Sequence, residues 1–219
     1  MNWMSKQELV GKLSAAVKEG NVEEAGALAK RSVESKYDPL EVMGGVTSAL
    51  QEVGERFGGG EMFLTELMFC AEAAKAAMAP LTVEIKRLRK EVKYSGRVVI
   101  GTVAGDIHDI GKSLVAAMLT AAGFEVIDLG VDVPDEVFVS KVKELKPDVL
   151  GMSALVSNTM FKFGDVIEAL KKAGLRGKVK VVVGGAFVDQ DWAEKSGADA
   201  FGSDTVDAVA KVKALLKKK

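Results

Sequence analysis

Histidine and cysteine are almost missing from this chain, with one of each among 219 residues. The lone cysteine, Cys70, excludes an intramolecular disulfide framework and fits a reducing cytoplasm, where we expect the protein to reside. The lone histidine, His108, is too little for a bare zinc site, which needs more protein donors than one imidazole and scattered carboxylates. Neither sign of charge is in excess. The 30 basic and 31 acidic residues leave a net charge of -1, which argues against a dedicated nucleic-acid surface. No apolar run reaches the length of a membrane span, and windows such as RVVIGTVAG are broken by Gly, Asp and Lys. The opening MNWMSKQELVGKL lacks the continuous apolar core of a signal peptide, so we expect neither membrane nor export. What is present, 48% hydrophobic and 28% charged residues, is the composition of a soluble globular protein. The length suits one ordinary domain and a small one.

The chain reads as two halves, 1–90 and 91–219. The first is helical throughout. Glu23–Ser35 reads as one helix and Pro39–Phe57 as another, with Asp38 as its cap and Pro39 in its first turn. In FLTELMFCAEAAKAAM, apolar groups at Leu64, Leu67, Met68, Ala71, Ala74 and Met78 make the stripe of a helix that buries one face. Four such helices predict a small four-helix bundle, with Cys70 as a core residue. The charged stretch Glu84–Gly96 reads as a helix end followed by a solvated linker, a candidate hinge.

From Arg97 the texture changes. Apolar runs of strand length, RVVIGTV, FEVIDLG, DVLGMSAL, VKVVVGGA and the short ADAFG, alternate with helical patterns such as Pro134–Leu145 and Asp204–Leu216. Short Val- and Ile-rich runs separated by helices predict a parallel sheet covered on both faces. Five βα units make a five-stranded doubly wound α/β domain, in which ligands bind beyond the carboxyl ends of the strands. The loops that matter are therefore GDIHDIG, SALVSNT and GGAF.

The first loop ends in Gly111-Lys112-Ser113, as a phosphate-binding Walker loop does. Counting back, the first-glycine position of that motif holds Asp106, whose carboxylate would face phosphate oxygens, and Gly105 is one residue too early. No strand ending in an obvious aspartate of the matching second motif is expected to follow, and DVLGMS ends in Ser153. His108 is better explained as a ligand. Asp106, two residues away on a strand-end loop, can accept the hydrogen bond of its other ring nitrogen. With no second histidine, a metal there would arrive with most of its ligands attached, as in a tetrapyrrole or corrin. A helix cap or a buried hydrogen-bond network would also account for a lone histidine, and a tight strand-to-helix turn would account for Gly184-Gly185.

Asp106-Ile-His108-Asp109-Ile110-Gly111, then Ser153-Ala-Leu155, then Gly184-Gly185, resembles the signature of cobalamin-binding domains. The flanking GTVAGDIHDIGKSLV, GFEVIDLGVDVP and VLGMSALVSNTM look like the corrinoid proteins of methyltransferase systems and the matching module of methionine synthase. GERFGGGEMFLTELMFCAEAAKAAM resembles that family's helical cap. The resemblance spans nearly the whole chain. It implies a helical cap, 1–90, and a flavodoxin-like (Rossmann-like) cobalamin-binding domain, 91–219. One departure is Thr65, which stands where relatives often carry proline.

The resemblance also implies roles. The cofactor would be cobalamin or a related corrinoid, alternating between Co(I) and a methyl-bearing Co(III). Its nucleotide tail would leave the cobalt and enter a channel in the α/β domain. His108 would replace it as lower axial ligand, supported by Asp106 and by Thr159 as a hydroxyl relay. Asp109 and Ile110 lie within the same binding loop. Ser153, with Leu155 and Ser157 nearby, would meet the buried base, and Gly111, Gly184 and Gly185 would let backbone pack close to the tail. Phe57, Phe63 and Leu64 would shield the methyl-bearing face from water. The function implied is that of a carrier without a substrate pocket of its own, in the one-carbon metabolism of methanogens or acetogens. Its partners would be a donor-specific methyltransferase, an acceptor methyltransferase using a thiol or a folate- or pterin-type acceptor, and a reductive activation protein. Two rival classes share the motif: a cobalamin-dependent sensor or regulator, and the cobalamin subunit of a mutase.

Overall fold

The computed structural model describes residues 4–88 and 94–217, which fall into two compact units, one of the residues up to Tyr94 with Thr120–Gly123 and the other of Ser95–Leu119 and the residues from Phe124 on. The expected boundary at 90/91, and the middle of the expected Glu84–Gly96 linker, lie outside the described residues.

The first unit is built of four helices, α1 (Lys6–Lys18), α2 (Val22–Glu34), α3 (Pro39–Gly58) and α4 (Leu64–Arg87). The first three begin where side chains can accept the unpaired N–H groups of a first turn. Ser5 accepts from Glu8, Asn21 from Glu24, and Asp38 from Leu40 with Pro39 following it. Leu9, Leu13, Val17, Leu28, Val42, Val46 and Leu50 fill the core. The expected α4 stripe is only partly right. Leu67 and Ala74 are buried, but Leu64 and Met68 are exposed and Ala71 and Met78 half-buried. The buried face runs instead through Leu67, Cys70, Ala73, Ala74, Ala77, Leu81 and Ile85. The small alanines sit where α4 packs on Ala25 and Ala29 of α2, and small side chains allow close helix approach there. Cys70 is a core residue as expected. Its thiol donates to the Lys18 carbonyl, and burial pushes that thiol up from its ordinary pKa.

The second unit is the expected α/β domain. Strands β1 (Arg97–Thr102), β2 (Glu125–Asp128), β3 (Val149–Ser153), β4 (Lys180–Gly184) and β5 (Ala200–Gly202) form one all-parallel sheet in the order β2-β1-β3-β4-β5. Helices α5 (Ile110–Ala121), α6 (Asp135–Leu145), α7 (Lys162–Lys172), α8 (Gln190–Ser196) and α9 (Thr205–Leu216) connect or follow the strands. Each buried strand residue alternates faces. On one face Val99, Leu150, Val181 and Val183 pack with Phe138, Val142, Phe163 and Ile167 of α6 and α7. The Phe138 ring lies over Gly101, where an added Cβ would stand 2.9 Å from it. The strand order reverses between β1 and β3, so the loops leaving their carboxyl ends frame a crevice. Register aligns Thr102, Ser153, Gly184 and Gly202 in one row along that end of the sheet. Among the described residues no helix is long and apolar enough to cross a membrane.

Phe138 is fully buried beneath the sheet. Truncating it to alanine should lower the unfolding free energy by ~3–5 kcal/mol, read from urea denaturation, because the glycine beneath it cannot fill the space.

Candidate functional site

Val103 pairs with Val133 just past β1, after which the chain turns through Gly105, whose φ is +81°. The loop that follows carries Asp106 and His108, and Asp109 closes it by accepting the first helical bond of α5 from Ser113. The carboxylate of Asp106 is 1% exposed and collects donors from both sides of the crevice. Its Oδ1 accepts from the His108 N–H at 3.0 Å and faces the His108 Nδ1 at 2.7 Å. Its Oδ2 accepts from the Leu155 N–H at 2.7 Å, the Val156 N–H at 3.3 Å and the Thr159 hydroxyl at 2.9 Å. The first group comes from the loop after β1 and the second from the loop after β3.

Burial, the largest single influence, pushes the Asp106 carboxyl up. The His108 N–H, the His108 ring, the Leu155 N–H and the Thr159 hydroxyl together outweigh it and hold the carboxyl well below the usual carboxylate range. An ionised Asp106 can only accept, so the hydrogen it shares with His108 resides on Nδ1. The Nε2 lone pair then faces outward. His108 is half exposed, and Nε2 makes no hydrogen bond among the described residues. The Thr159 hydroxyl also lies 2.8 Å from the Val156 carbonyl, so its one proton has two acceptors to choose between. The charged one is the stronger.

A cavity of about 300 Å³ opens beside His108 and runs along one face of the sheet towards its amino end. Strand periodicity explains its walls: Val98 and Ile100, Val149, Gly151 and Ser153, Val182 and Gly184 are alternate residues of three neighbouring strands. Of the residues expected at the site, His108, Gly111, Ser153, Leu155, Gly184 and Gly185 line this cavity. Thr159 is buried against Asp106 instead. Asp109, Ile110 and Ser157 are exposed and stand outside the cavity walls. In the helical unit, Phe57 is half-buried in the last turn of α3, Phe63 is 79% exposed just before α4, and Leu64 is exposed at its start. Among the described residues no group of three or more His, Cys, Asp or Glu stands together as a metal site.

The three glycines serve different ends. An added Cβ at Gly111 would meet nothing within 4 Å, so a side chain there would extend into open space. At Gly184 it would approach the Gly202 carbonyl at 3.2 Å. Gly185 has φ +145°, and a Cβ there would stand 1.8 Å from the Ala154 carbonyl oxygen. Backbone there packs against backbone, and the residue also lines the cavity.

Sequence reading missed five contributors. The Leu155 and Val156 N–H groups are main-chain donors and leave no side-chain signal. Thr102, fully buried, donates its hydroxyl to the His108 carbonyl at 3.0 Å. Asp132 accepts from the Gly105 N–H at 2.7 Å. Lys112, read at first as part of a Walker-like ending, buries a side chain only 2% exposed and pairs with Asp128 at 2.5 Å. It thereby ties the first turn of α5 to the end of β2.

Residues 96–210 match the family model described as B12 binding domain, and residues 9–82 match a second model with the same description. The chain is 47% identical over 213 residues to trimethylamine corrinoid protein 2 of Methanosarcina mazei, covering 97% of this chain and 98% of that one. It is 44% identical over 217 residues to dimethylamine corrinoid protein 1 of Methanosarcina acetivorans, covering 97% and 100%. Among solved structures it resembles the methanol:cobalamin methyltransferase complex of Methanosarcina barkeri with a TM-score of 0.86 and 29% identity. That match covers 98% of this chain and 82% of that one.

The depressed Asp106 carboxyl has a consequence for acid stability. An unfolded aspartate titrates near ~3.9. As pH falls from about 5, the unfolded chain takes up a proton that the native one refuses, and native stability is lost. The Asp106→Asn protein should lose stability at pH 7 and show a flatter decline in urea midpoint between pH 5 and 3. A Gly185→Ala substitution should cost about 2 kcal/mol or more in the same assay, with Gly184→Ala milder.

Proposed function

We propose, on the premise that this chain belongs to the family of B12-binding corrinoid proteins, that it is a methyl carrier whose cofactor is held through His108. When bound, the corrinoid supplies the cobalt that takes up and gives up the methyl group. The observation that carries this reading is the Asp106–His108 pair at the mouth of the cavity. An ionised carboxylate fixes the Nδ1 hydrogen and leaves Nε2 as the one donor atom turned outward.

The residues fit such a group in two ways. A corrin brings four nitrogen ligands of its own, so one protein imidazole suffices where a bare ion would need several. The cavity beside His108 has apolar side chains and glycines along the sheet, with Ser153 near its carboxyl end, as a flat aromatic base carrying few polar atoms requires. We assign Ser153 to that base and Leu155, Gly111 and Gly184 to its walls. We assign Asp109 and Ile110 to the rim of the binding loop, and Ser157 to the neighbouring loop surface.

The protein's own part is to hold or release a donor. While Nε2 is engaged, Asp106 carries the charge and Nδ1 the hydrogen. When Nε2 is released, the Asp106 contact still holds the ring through Nδ1, so the donor stays in place to be engaged again. Thr159 donates its hydroxyl to Oδ2 and so helps hold the Asp106 charge that orients the ring. Phe57, Phe63 and Leu64 give the helical unit an apolar surface of the kind a water-excluding lid needs, and we propose that role for them.

Relatives named for trimethylamine and dimethylamine make a methylamine the donor class we favour. A donor-specific methyltransferase would then load the carrier. An acceptor methyltransferase with a thiol or folate- or pterin-type acceptor would unload it, and a reductive activation protein would restore it after oxidation.

The test is electron paramagnetic resonance of the cobalt(II) form. The parent should show coupling to one nitrogen, and His108→Ala should retain the corrinoid on desalting but lose that coupling. Coupling that persists unchanged in the alanine protein overturns the assignment. Loading with each methylamine and the matching methyltransferase then identifies the donor.

A further inference from the structure

Three described residues other than glycine have a left-handed backbone: Lys36, Asp132 and Lys146. Two of them end helices. Lys36 follows α2, where the Tyr37 N–H returns to the Ser32 carbonyl, and Lys146 closes α6 with its N–H on the Val142 carbonyl. Asp132, with φ +52°, ends no helix. It lies between β2 and α6, three residues before α6 begins. A non-glycine residue held in this region costs of order 1 kcal/mol and persists where its surroundings demand it.

What demands it is the loop that carries His108. The Asp132 N–H donates to the Asp106 carbonyl at 2.9 Å, and its Oδ1 accepts from the Gly105 N–H at 2.7 Å. One residue thus grips the Gly105–Asp106 segment at both ends. The segments on either side are laddered as well. Val133 N–H donates to the Thr102 carbonyl, and Thr102 N–H donates to the Gly130 carbonyl, both at 3.0 Å. Gly130 N–H is in turn held by Asp128, the partner of Lys112. The left-handed turn at Asp132 is what lets its main-chain N–H and its own carboxylate face the same short segment.

We propose that Asp132 is a positioning residue for the Asp106–His108 pair. Its grip fixes the orientation of Asp106, and through the 2.7 Å contact the ring orientation and Nδ1 tautomer of His108. Its importance to the carrier rests on the reading of His108 as axial ligand, but its effect on the imidazole does not. Gly105 is exposed, so water can replace the lost acceptor and the fold survives the change.

Two variants separate the side chain from the backbone. Asp132→Asn keeps an oxygen acceptor and tolerates the left-handed turn; Asp132→Gly keeps the turn and removes the acceptor. In the full chain without corrinoid, NMR reads amide exchange at Gly105 and the nitrogen shifts of His108, which report its tautomer. The asparagine protein should match the parent. The glycine protein should unfold at nearly the parent temperature, exchange Gly105 at least tenfold faster, and shift the His108 nitrogens towards a mixture of tautomers. If either change is missing in the glycine protein, the proposal is overturned. Loaded with cobalamin, the glycine protein should show a smaller nitrogen-coupled fraction of cobalt(II). A parent without nitrogen coupling would sink the axial-ligand reading, while the NMR results still decide the role of Asp132.

Discussion

A buried negative charge at the top of the sheet organises the second unit. Ionised carboxylates tolerate burial only when their oxygens are met by donors, and Asp106 collects them from two loops that leave neighbouring strands. Those strands, β1 and β3, flank the point where strand order reverses. The hydrogen bonds to Asp106 therefore do two things at once. They hold the mouth of the crevice together, and they commit one ring nitrogen of His108, the other having no partner among the described residues. Thr102, which donates to the His108 carbonyl, and Asp132, which grips the preceding residues, complete this setting.

The cavity follows from the sheet. Alternation along parallel strands turns every second residue to one face, and along β1, β3 and β4 those residues are valine, isoleucine, glycine and one serine. Gly184 carries no side chain at the cavity wall, while the Ile100 side chain lies over Gly151. The opposite face is filled by Phe138, which lies over Gly101, and by Phe163. One sheet thus presents a dry core on one side and a ligand-sized void on the other.

Much of this was legible in the residues. The helical first half, the five strands and the loop bearing Asp106 and His108 all follow from periodicity, caps and the spacing of two side chains. The α4 face was misjudged because alanine and cysteine weigh little in an apolar count, yet alanines face α2 and Cys70 is buried against the end of α1. Leu64 and Met68 weigh heavily and are exposed. Main-chain donors such as Leu155 N–H carry no residue signature, so the full set of bonds to Asp106 could not be read beforehand. Asp132 was equally hidden, because an aspartate in a turn is ordinary until its backbone angle and its partners are known.

The close approach of residue 185 to the Ala154 carbonyl has a bearing on how relatives are compared. Selection will keep glycine there for reasons of chain geometry, even in a descendant that has abandoned the ligand. Gly111 is under no such compulsion, since its missing methyl would strike nothing in the protein. Of the two, retention of the unconstrained glycine is the more informative mark of an inherited cargo, and its drift to larger residues the earlier sign that the cargo was lost.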